Sequence, residues 1–263
     1  MHLFGQELPE FFLLTKKRTF VLILSKPADW RGCLGERGSR RPAGAFSKGQ
    51  RTREEIVERA LRLAARKGLA AISIGGLAKA LGMSKSALFV HFGSKAKLEA
   101  AVVAQAGIIF RGHVLDPAEE EGGWGIERVW ALCDFWLEFV EKRVLPGAYF
   151  FTGAFFLHAE QDGFIARQIR EVARQWFRAL RRALDEARGR GEIDSEVNAQ
   201  QTAFELNGLL LGAQWSRQLD PLDYPNPRSA ILTKLKSLAT KKIPEGVFDS
   251  VKDWRRYLKT RTK

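Results

Sequence analysis

The sequence predicts an all-α protein, in which short helices near the N-terminus precede a bundle of longer helices. Apolar residues recur at helical spacing through the segments 125–143, 147–160, 164–189 and 196–218. Glycine, proline and aspartate mark the boundaries between these segments, as they do between helices. An alternating strand pattern occurs only at residues 20–24 and 149–151, and both stretches are too short to build a sheet.

The N-terminal group of helices begins with an amphipathic segment over about residues 52–67. Its apolar stripe starts at Ile56 and Ala60, and glutamates and arginines occupy the opposite face. Three serines suited to the N-cap position then follow at short intervals, Ser73, Ser84 and Ser94. They predict a helix over 74–81, a second over 85–91 and a third that runs from Ser94 to about residue 113.

The two helices after Ser73 and Ser84 have helix-turn-helix spacing. Leu77 and Leu88 are predicted to face the core, and Gly82 permits the positive φ angle that the turn requires. The second helix then presents Lys85 and Phe89 on an outer face that fits the major groove of DNA. The alternative is a plain three-helix bundle whose lysines are merely solvated.

The charge distribution favours a polyanionic partner for this part of the chain. The formal net charge is +13. Residues 1–99 carry 19 basic and 8 acidic side chains, a net +11, whereas residues 100–240 carry 16 and 19, a net −3. A basic front on a nearly neutral body is typical of nucleic-acid binding.

Residues 51–99 resemble the DNA-binding domain of the TetR family of bacterial repressors. The resemblance is carried by Ile56 and Ala60, by Leu-Ala-x-x-Leu-Gly-Met-Ser over 77–84, and by Leu-Phe-Val-His-Phe-Gly-Ser-Lys over 88–95 followed by Leu98. It implies a homodimer in which each N-terminal domain binds one half of a palindromic double-stranded DNA operator. The predicted DNA-binding residues are Arg51, Ser73, Lys85, Ser86, Ala87, Phe89, His91, Lys95 and Lys97.

The chain departs from the family pattern at three places. Phe89 stands where the family usually has tyrosine, Ala87 is short for a base contact, and Gly75 and Gly76 weaken the preceding helix. These departures predict few direct base contacts, so recognition should depend more on phosphate contacts and on DNA shape. The arginines of residues 31–53 are predicted to act as a minor-groove arm.

The middle of the chain is rich in aromatic residues, which either pack the core or line a cavity for a flat apolar ligand. Composition favours core packing for any single residue, and the resemblance favours a pocket in this region. The candidate contacts for a small apolar or aromatic effector are Trp130, Trp136, Tyr149, Phe155, His158 and Trp176.

Segments 164–189 and 196–218 are the candidates for a dimer interface. The second is apolar on more than one face, which predicts burial on both sides. Its predicted interface residues are Phe204, Gly208, Leu211, Gly212 and Trp215. The alternative is that residues 228–258 fold back and cover this helix within one chain.

No catalytic or metal-binding pattern is visible, so no enzyme activity, metal or cofactor is expected. Cys33 and Cys133 have no CxxC or CxxH companion, and the four histidines are scattered. This cysteine usage fits a reducing cytoplasm, and no stretch within residues 1–30 approaches a membrane span.

These observations predict a cytoplasmic, nucleoid-associated transcriptional regulator, a homodimeric repressor that a small-molecule effector releases from its operator. An effector-independent DNA-binding protein is the alternative. The predicted organisation is a disordered or mis-annotated basic extension over 1–47, a helix-turn-helix domain over 48–97, a helical regulatory and dimerisation domain over 98–240, and a basic tail over 241–263.

Overall fold

The structure, a computed structural model, describes residues 48–145, 150, 153, 163–219, 226–244 and 246–261. Among these residues it has no strand, so the all-α prediction is confirmed. The helices are α1 (Lys48–Lys67), α2 (Ile74–Ala80), α3 (Lys85–Phe92), α4 (Lys95–Phe110), α5 (Asp116–Glu120), α6 (Ile126–Glu141), α7 (Phe164–Gly189), α8 (Ala199–Leu219), α9 (Pro227–Leu238) and α10 (Val251–Arg261).

The N-terminal helices enclose a small apolar core. Ile56 and Ala60 from α1 are completely buried, and Leu88 of α3 and Leu98 of α4 are buried with them. Helix α1 begins at Lys48, four residues before its predicted start. Arg51 and Arg53 therefore belong to a helix, so the predicted minor-groove arm does not extend to them.

Helix α4 continues without a break into a π-helical turn at Arg111–Leu115 and then into α5. The whole stretch Lys95–Glu120 is long and apolar enough to span a membrane by length and composition, but half of its most apolar window is buried inside the protein. Val102, Val103 and Ala106 supply this burial, so core packing accounts for the apolar sequence. The predicted domain boundary at residue 97 falls inside α4.

The central bundle is formed by α6, α7 and α8, and α4 packs closely against α7. A Cβ atom added to Gly107 of α4 would lie 2.7 Å from Cγ2 of Val172 on α7, so the glycine allows this close approach. One turn further along α7, Trp176 donates a hydrogen bond from Nε1 to Oδ1 of Asn207 on α8 at 3.0 Å. The predicted helices 125–143, 164–189 and 196–218 correspond to α6, α7 and α8 with ends within three residues. Of the predicted helix 147–160, only positions 150 and 153 are described, and both are helical.

The C-terminal segment, predicted as a basic tail, is packed onto the bundle where it is described. Trp254 of α10 is completely buried, with its ring centroid 5.9 Å from that of Trp130 and 5.1 Å from that of Phe248. Lys252, Arg255, Arg256 and Lys259 of α10 are exposed. The prediction of a tail is wrong for this segment because it rested on the basic charges, whereas the aromatic residues between them, such as Phe248 and Trp254, pack against the bundle.

Candidate nucleic-acid interface

The turn between α2 and α3 is fixed by one glycine and one backbone hydrogen bond. Gly82 has a φ of 64°, in the left-handed region that favours glycine. The Met83 backbone N–H then donates to the Ala78 carbonyl at 2.9 Å. Helix α3 starts directly afterwards, because the Ser84 hydroxyl accepts from the Ala87 backbone N–H at 3.1 Å. The predicted helix-turn-helix geometry is present.

Helix α3 presents a clear outer face. Leu88 and Phe92 are buried against α2 and the core, whereas Lys85, Ser86, Phe89 and Val90 are exposed. Phe89 is 49% exposed and Val90 is 84% exposed. Val90 was not among the predicted DNA-binding residues, while Ala87 and His91, which were, are only half-exposed.

Arg53 of α1 holds the end of α3 in place. Its Nη1 donates a hydrogen bond to the backbone carbonyl of His91 at 2.7 Å, and its guanidinium carbon lies 4.2 Å from the ring centroid of Phe92. Partial burial lowers the pKa of Arg53 below its usual value, but arginine stays protonated at physiological pH. A cation at a helix C-terminus is favourable because of the helix dipole. Sequence reasoning missed this positioning role, since 38 residues separate the partners.

Three of the predicted phosphate or base contacts already have local partners. The Ser73 hydroxyl caps α2 by accepting from the Gly76 backbone N–H at 3.1 Å, and the Ser86 hydroxyl lies 3.0 Å from that of Ser84. Lys95 Nζ lies 3.5 Å from the Glu99 carboxylate. Arg51 and Lys97 are exposed.

The two glycines of α2 have neighbours that explain them. A Cβ atom on Gly75 would lie 3.1 Å from Cε of Lys85, so the glycine leaves room for that side chain to cross α2. A Cβ atom on Gly76 would lie 2.7 Å from the Ser73 hydroxyl that caps the helix. Glycine at these two positions lowers helix propensity, but it leaves space for the Lys85 side chain and for the Ser73 cap.

The described effector candidates are buried. Trp130 packs against Trp254, Trp176 packs edge-on against Phe110, and Trp136 is also buried. Tyr149, Phe155 and His158 lie outside the described residues. Core packing is therefore the observed role of the three tryptophans, and their contact with an effector stays a prediction.

The dimer candidates share one exposed face of α8. Phe204 is 65% exposed and Trp215 is 61% exposed, with Leu211, Gly208 and Gly212 exposed between them. Leu219, 71% exposed, extends this face by one turn. The opposite face of α8, with Leu206 and Leu210, is fully buried. The predicted burial on both sides is therefore seen on one side within the chain.

A helix-turn-helix with an exposed third helix, joined to an α-helical bundle, is the fold of a DNA-binding transcriptional regulator. Two family models match this chain. Residues 56–102 match "Bacterial regulatory proteins, tetR family", and residues 125–226 match "Tetracyclin repressor-like, C-terminal domain". The chain belongs to the TetR family of transcriptional regulators.

Solved structures show the same fold at low sequence identity. A TetR transcriptional regulator from Chloroflexus aurantiacus is 24% identical, with a TM-score of 0.62 over 72% of this chain and 94% of that one. AibR, solved in complex with isovaleryl coenzyme A and operator DNA, is 20% identical, with a TM-score of 0.54 over 71% and 97%. A transcriptional regulator from Saccharomonospora viridis, solved with choline, is 17% identical, with a TM-score of 0.60 over 73% and 99%. No curated protein sequence matches the chain.

Proposed function

We propose that this protein is a homodimeric repressor that binds a palindromic operator and leaves it when a small molecule binds the C-terminal bundle. The observation that carries the proposal is the outer face of α3, which is exposed, bears a lysine near its start and is held in place from both ends. Helix α3 then lies in the major groove, and each protomer binds one half-site. Since the operator lies on the chromosome, the protein acts in the cytoplasm at the nucleoid.

The DNA contacts divide into two groups. Lys85, Ser86 and Ala87, at the N-terminal end of α3, face base edges, with Phe89 and His91 one turn further along. Arg51, Ser73, Lys95 and Lys97 flank the helix and contact phosphates, as backbone N–H groups and basic side chains at helix N-termini do. Ser73 and Lys95 would exchange or share their present partners on binding.

Exposed apolar residues give α3 a particular kind of base readout. In the major groove the C5-methyl group of thymine is the one apolar feature among the base edges. Phe89 and Val90 are large apolar side chains that are exposed on α3. Contact with thymine methyl groups would bury them, so the half-site is expected to contain A·T pairs at the positions that they reach.

The exposed face of α8 supports a two-fold dimer. Its apolar residues follow one helical stripe, at positions 204, 211, 215 and 219, with glycines at 208 and 212 where a partner helix would come closest. Helices α9 and α10 do fold back onto the bundle, as the alternative required, yet Phe204 and Trp215 remain more than half exposed. A second copy of the same stripe is the simplest cover, because a two-fold interface uses the same patch on both chains.

Release by a small molecule is supported by the C-terminal bundle and by the family. The solved relatives with isovaleryl coenzyme A and with choline show that this fold accommodates small ligands in other proteins. In the present chain, α4 joins the DNA-binding helices to the bundle as one continuous element. A ligand that binds one arrangement of the bundle preferentially therefore shifts the spacing of the two α3 helices.

The salt dependence of operator binding tests the DNA face. Lys95→Ala should weaken binding and lower the magnitude of the salt slope by about 0.9 per lost phosphate contact, or roughly 2 in a dimer. Lys85→Ala should weaken binding and relax the base preference at the position that Lys85 reaches. Lys142→Ala is the matched control, since this lysine directly follows α6, outside the proposed DNA face, and pairs with Glu138 at 2.7 Å. Unchanged affinity and slope for both test variants would show that the assigned DNA face is wrong.

A further inference from the structure

An arginine-lined cleft lies in the C-terminal bundle, away from the aromatic core. It is an open cleft of about 320 Å³ between the π-helical turn, α5, α6 and α7. Arg111, Arg128, Arg178 and Arg182 line it, together with the carboxylates of Glu119 and Glu171. Each of these four guanidinium groups is paired with a carboxylate: Arg111 with Asp116, Arg128 with Glu186, Arg178 with Glu171 and Arg182 with Glu119. The fork of N–H donors on a guanidinium group binds carboxylates and phosphates, so an anion in the cleft can compete with these internal partners.

The floor of the cleft is apolar. Leu115 of the π-helical turn, Leu132 of α6 and Ala183 of α7 line it, and all three are buried. A cleft with an apolar floor and a few charged groups at its edge fits a ligand with a short apolar body and one charged group, since the polar contacts fix its orientation.

Two of the four arginines are paired loosely within the protein. Arg111 lies 3.4 Å from Asp116, and Arg182 lies 4.0 Å from Glu119, both longer than the 2.7–2.9 Å typical of charge-assisted hydrogen bonds. Arg178 has the shorter contact, with its Nη2 2.8 Å from the Glu171 carboxylate. Arg128 lies 3.3 Å from the Glu186 carboxylate and donates to the Gly123 carbonyl at 2.7 Å, but its buried Nε–H has no hydrogen-bond acceptor among the described residues. An anion in the cleft would supply acceptors to these guanidinium groups.

The cleft contacts the helix that carries the DNA-binding end of the chain. Arg111 is the first residue of the π-helical turn that directly continues α4. A π-helical turn holds one extra residue in a helix and often marks a ligand site. The first residue of α4, Lys95, belongs to the proposed DNA face, about 24 Å away along a helix of this length. Binding at Arg111 therefore acts on the connecting element directly.

We propose that this cleft binds a small organic anion, with a carboxylate or phosphate head and a short apolar body, and that this anion is the effector. The second half rests on the proposed function. The head group lies among Arg111, Arg178 and Arg182, where it replaces the carboxylates of Glu119 and Glu171, and the apolar body lies on Leu115 and Leu132. The proposed ligand carries a charged head group, which the predicted apolar or aromatic effector did not include.

Three probes that share one ring test the ligand class. Phenyl phosphate, benzoate and benzamide are titrated into the full-length protein by calorimetry, with inorganic phosphate as the head group alone. We expect at least one of the two ring-bearing anions to bind, more tightly than inorganic phosphate, and benzamide not to bind. Which anion binds identifies the head group. Equal binding of benzamide and benzoate, or binding of neither anion, would overturn the proposal.

Variants at exposed positions test the site without disturbing the core. Arg178→Gln should weaken anion binding roughly tenfold or more, because it removes a charged donor. Glu171→Gln should strengthen it, because it removes the carboxylate that competes for Arg178, and a merely structural role would not predict this gain. Arg174→Gln is the control, since Arg174 lies next to Glu171 at 4.0 Å but does not line the cleft. Equal affinities in all three variants would contradict the assignment.

Operator binding separates this inference from the proposed function. Without anion, wild type and Arg178→Gln should bind the operator equally, and failure of wild type to bind any operator would count against the proposed function alone. The bound anion should lower the operator affinity of wild type but not that of Arg178→Gln. An anion that binds the cleft and leaves operator affinity unchanged would overturn the effector role.

Discussion

A single substitution on α8 should move helix stability and dimer affinity in opposite directions. A Cβ atom added to Gly208 would have nothing within 4 Å, so a larger side chain fits without strain in the isolated chain. Glutamine has a higher helix propensity than glycine, by roughly 0.5–1 kcal/mol. Gly208→Gln should therefore stabilise the monomer by about this amount.

The same side chain lies in the middle of the proposed interface. In each copy, the larger side chain between two close helices costs about 1–3 kcal/mol of dimerisation free energy. Burial of its amide group without a hydrogen-bond partner costs about another 1–3 kcal/mol. A two-fold dimer contains two copies. The dimer should thus lose about 4 kcal/mol or more, which is roughly a thousand-fold in Kd.

Sedimentation equilibrium across a range of concentrations measures the Kd, and urea unfolding at low concentration measures the stability of the monomer. Gly112→Gln is the matched control, because Gly112 also has nothing within 4 Å of its added Cβ atom, but lies in the π-helical turn, outside both candidate interface segments. It should leave the dimer intact. A Gly208→Gln protein with the wild-type dimer Kd would refute the assignment of this face.

Three further predictions follow from individual contacts. Arg53→Met removes the charged hydrogen bond to the His91 carbonyl, worth about 1.5–3 kcal/mol, and should weaken operator binding without lowering the salt slope; a lower slope would mean that Arg53 contacts phosphate. Gly107→Ala should lower the free energy of unfolding by up to about 3 kcal/mol, because the new Cβ atom would clash with Val172. A second substitution, Val172→Ala, should restore the stability by removing the clash. An equal loss of stability in the double variant would show that this clash is not the cause. Burial and a nearby lysine lower the pKa of His113, so the folded state favours the neutral form of this histidine, and the free energy of unfolding should fall as the pH drops below about 6.5. In His113→Gln the midpoint of urea unfolding should change less between about pH 5 and 7 than in the wild type. The same pH dependence in both proteins would exclude His113 as the cause.

Local features of the N-terminal region were predictable because their determinants are close in sequence. The caps at Ser73, Ser84 and Ser94 lie within three residues of the N–H groups that they accept from. Gly82 marks the turn by its own conformational freedom. The helical periodicity of α7 and the exposed stripe of α8 could also be predicted, since each depends on one helix.

Features that depend on distant segments were not predictable in the same way. Arg53 reaches the end of α3 across 38 residues, and no local pattern marks it. Trp254 packs on Trp130 although its surroundings in the sequence are basic. The arginine-lined cleft combines the π-helical turn, α6 and α7, and in the sequence its arginines look like ordinary solvated charges.

Selection of bound genomic fragments, followed by footprinting of the enriched site, tests the central claim most directly. A homodimeric helix-turn-helix regulator should enrich a site with two inverted half-sites whose centres are about one helical turn, or a small multiple of it, apart. Wild type should protect both half-sites, and Lys85→Ala should lose this protection. Enrichment of no sequence above background, or protection of a single site without two-fold symmetry, would contradict the account.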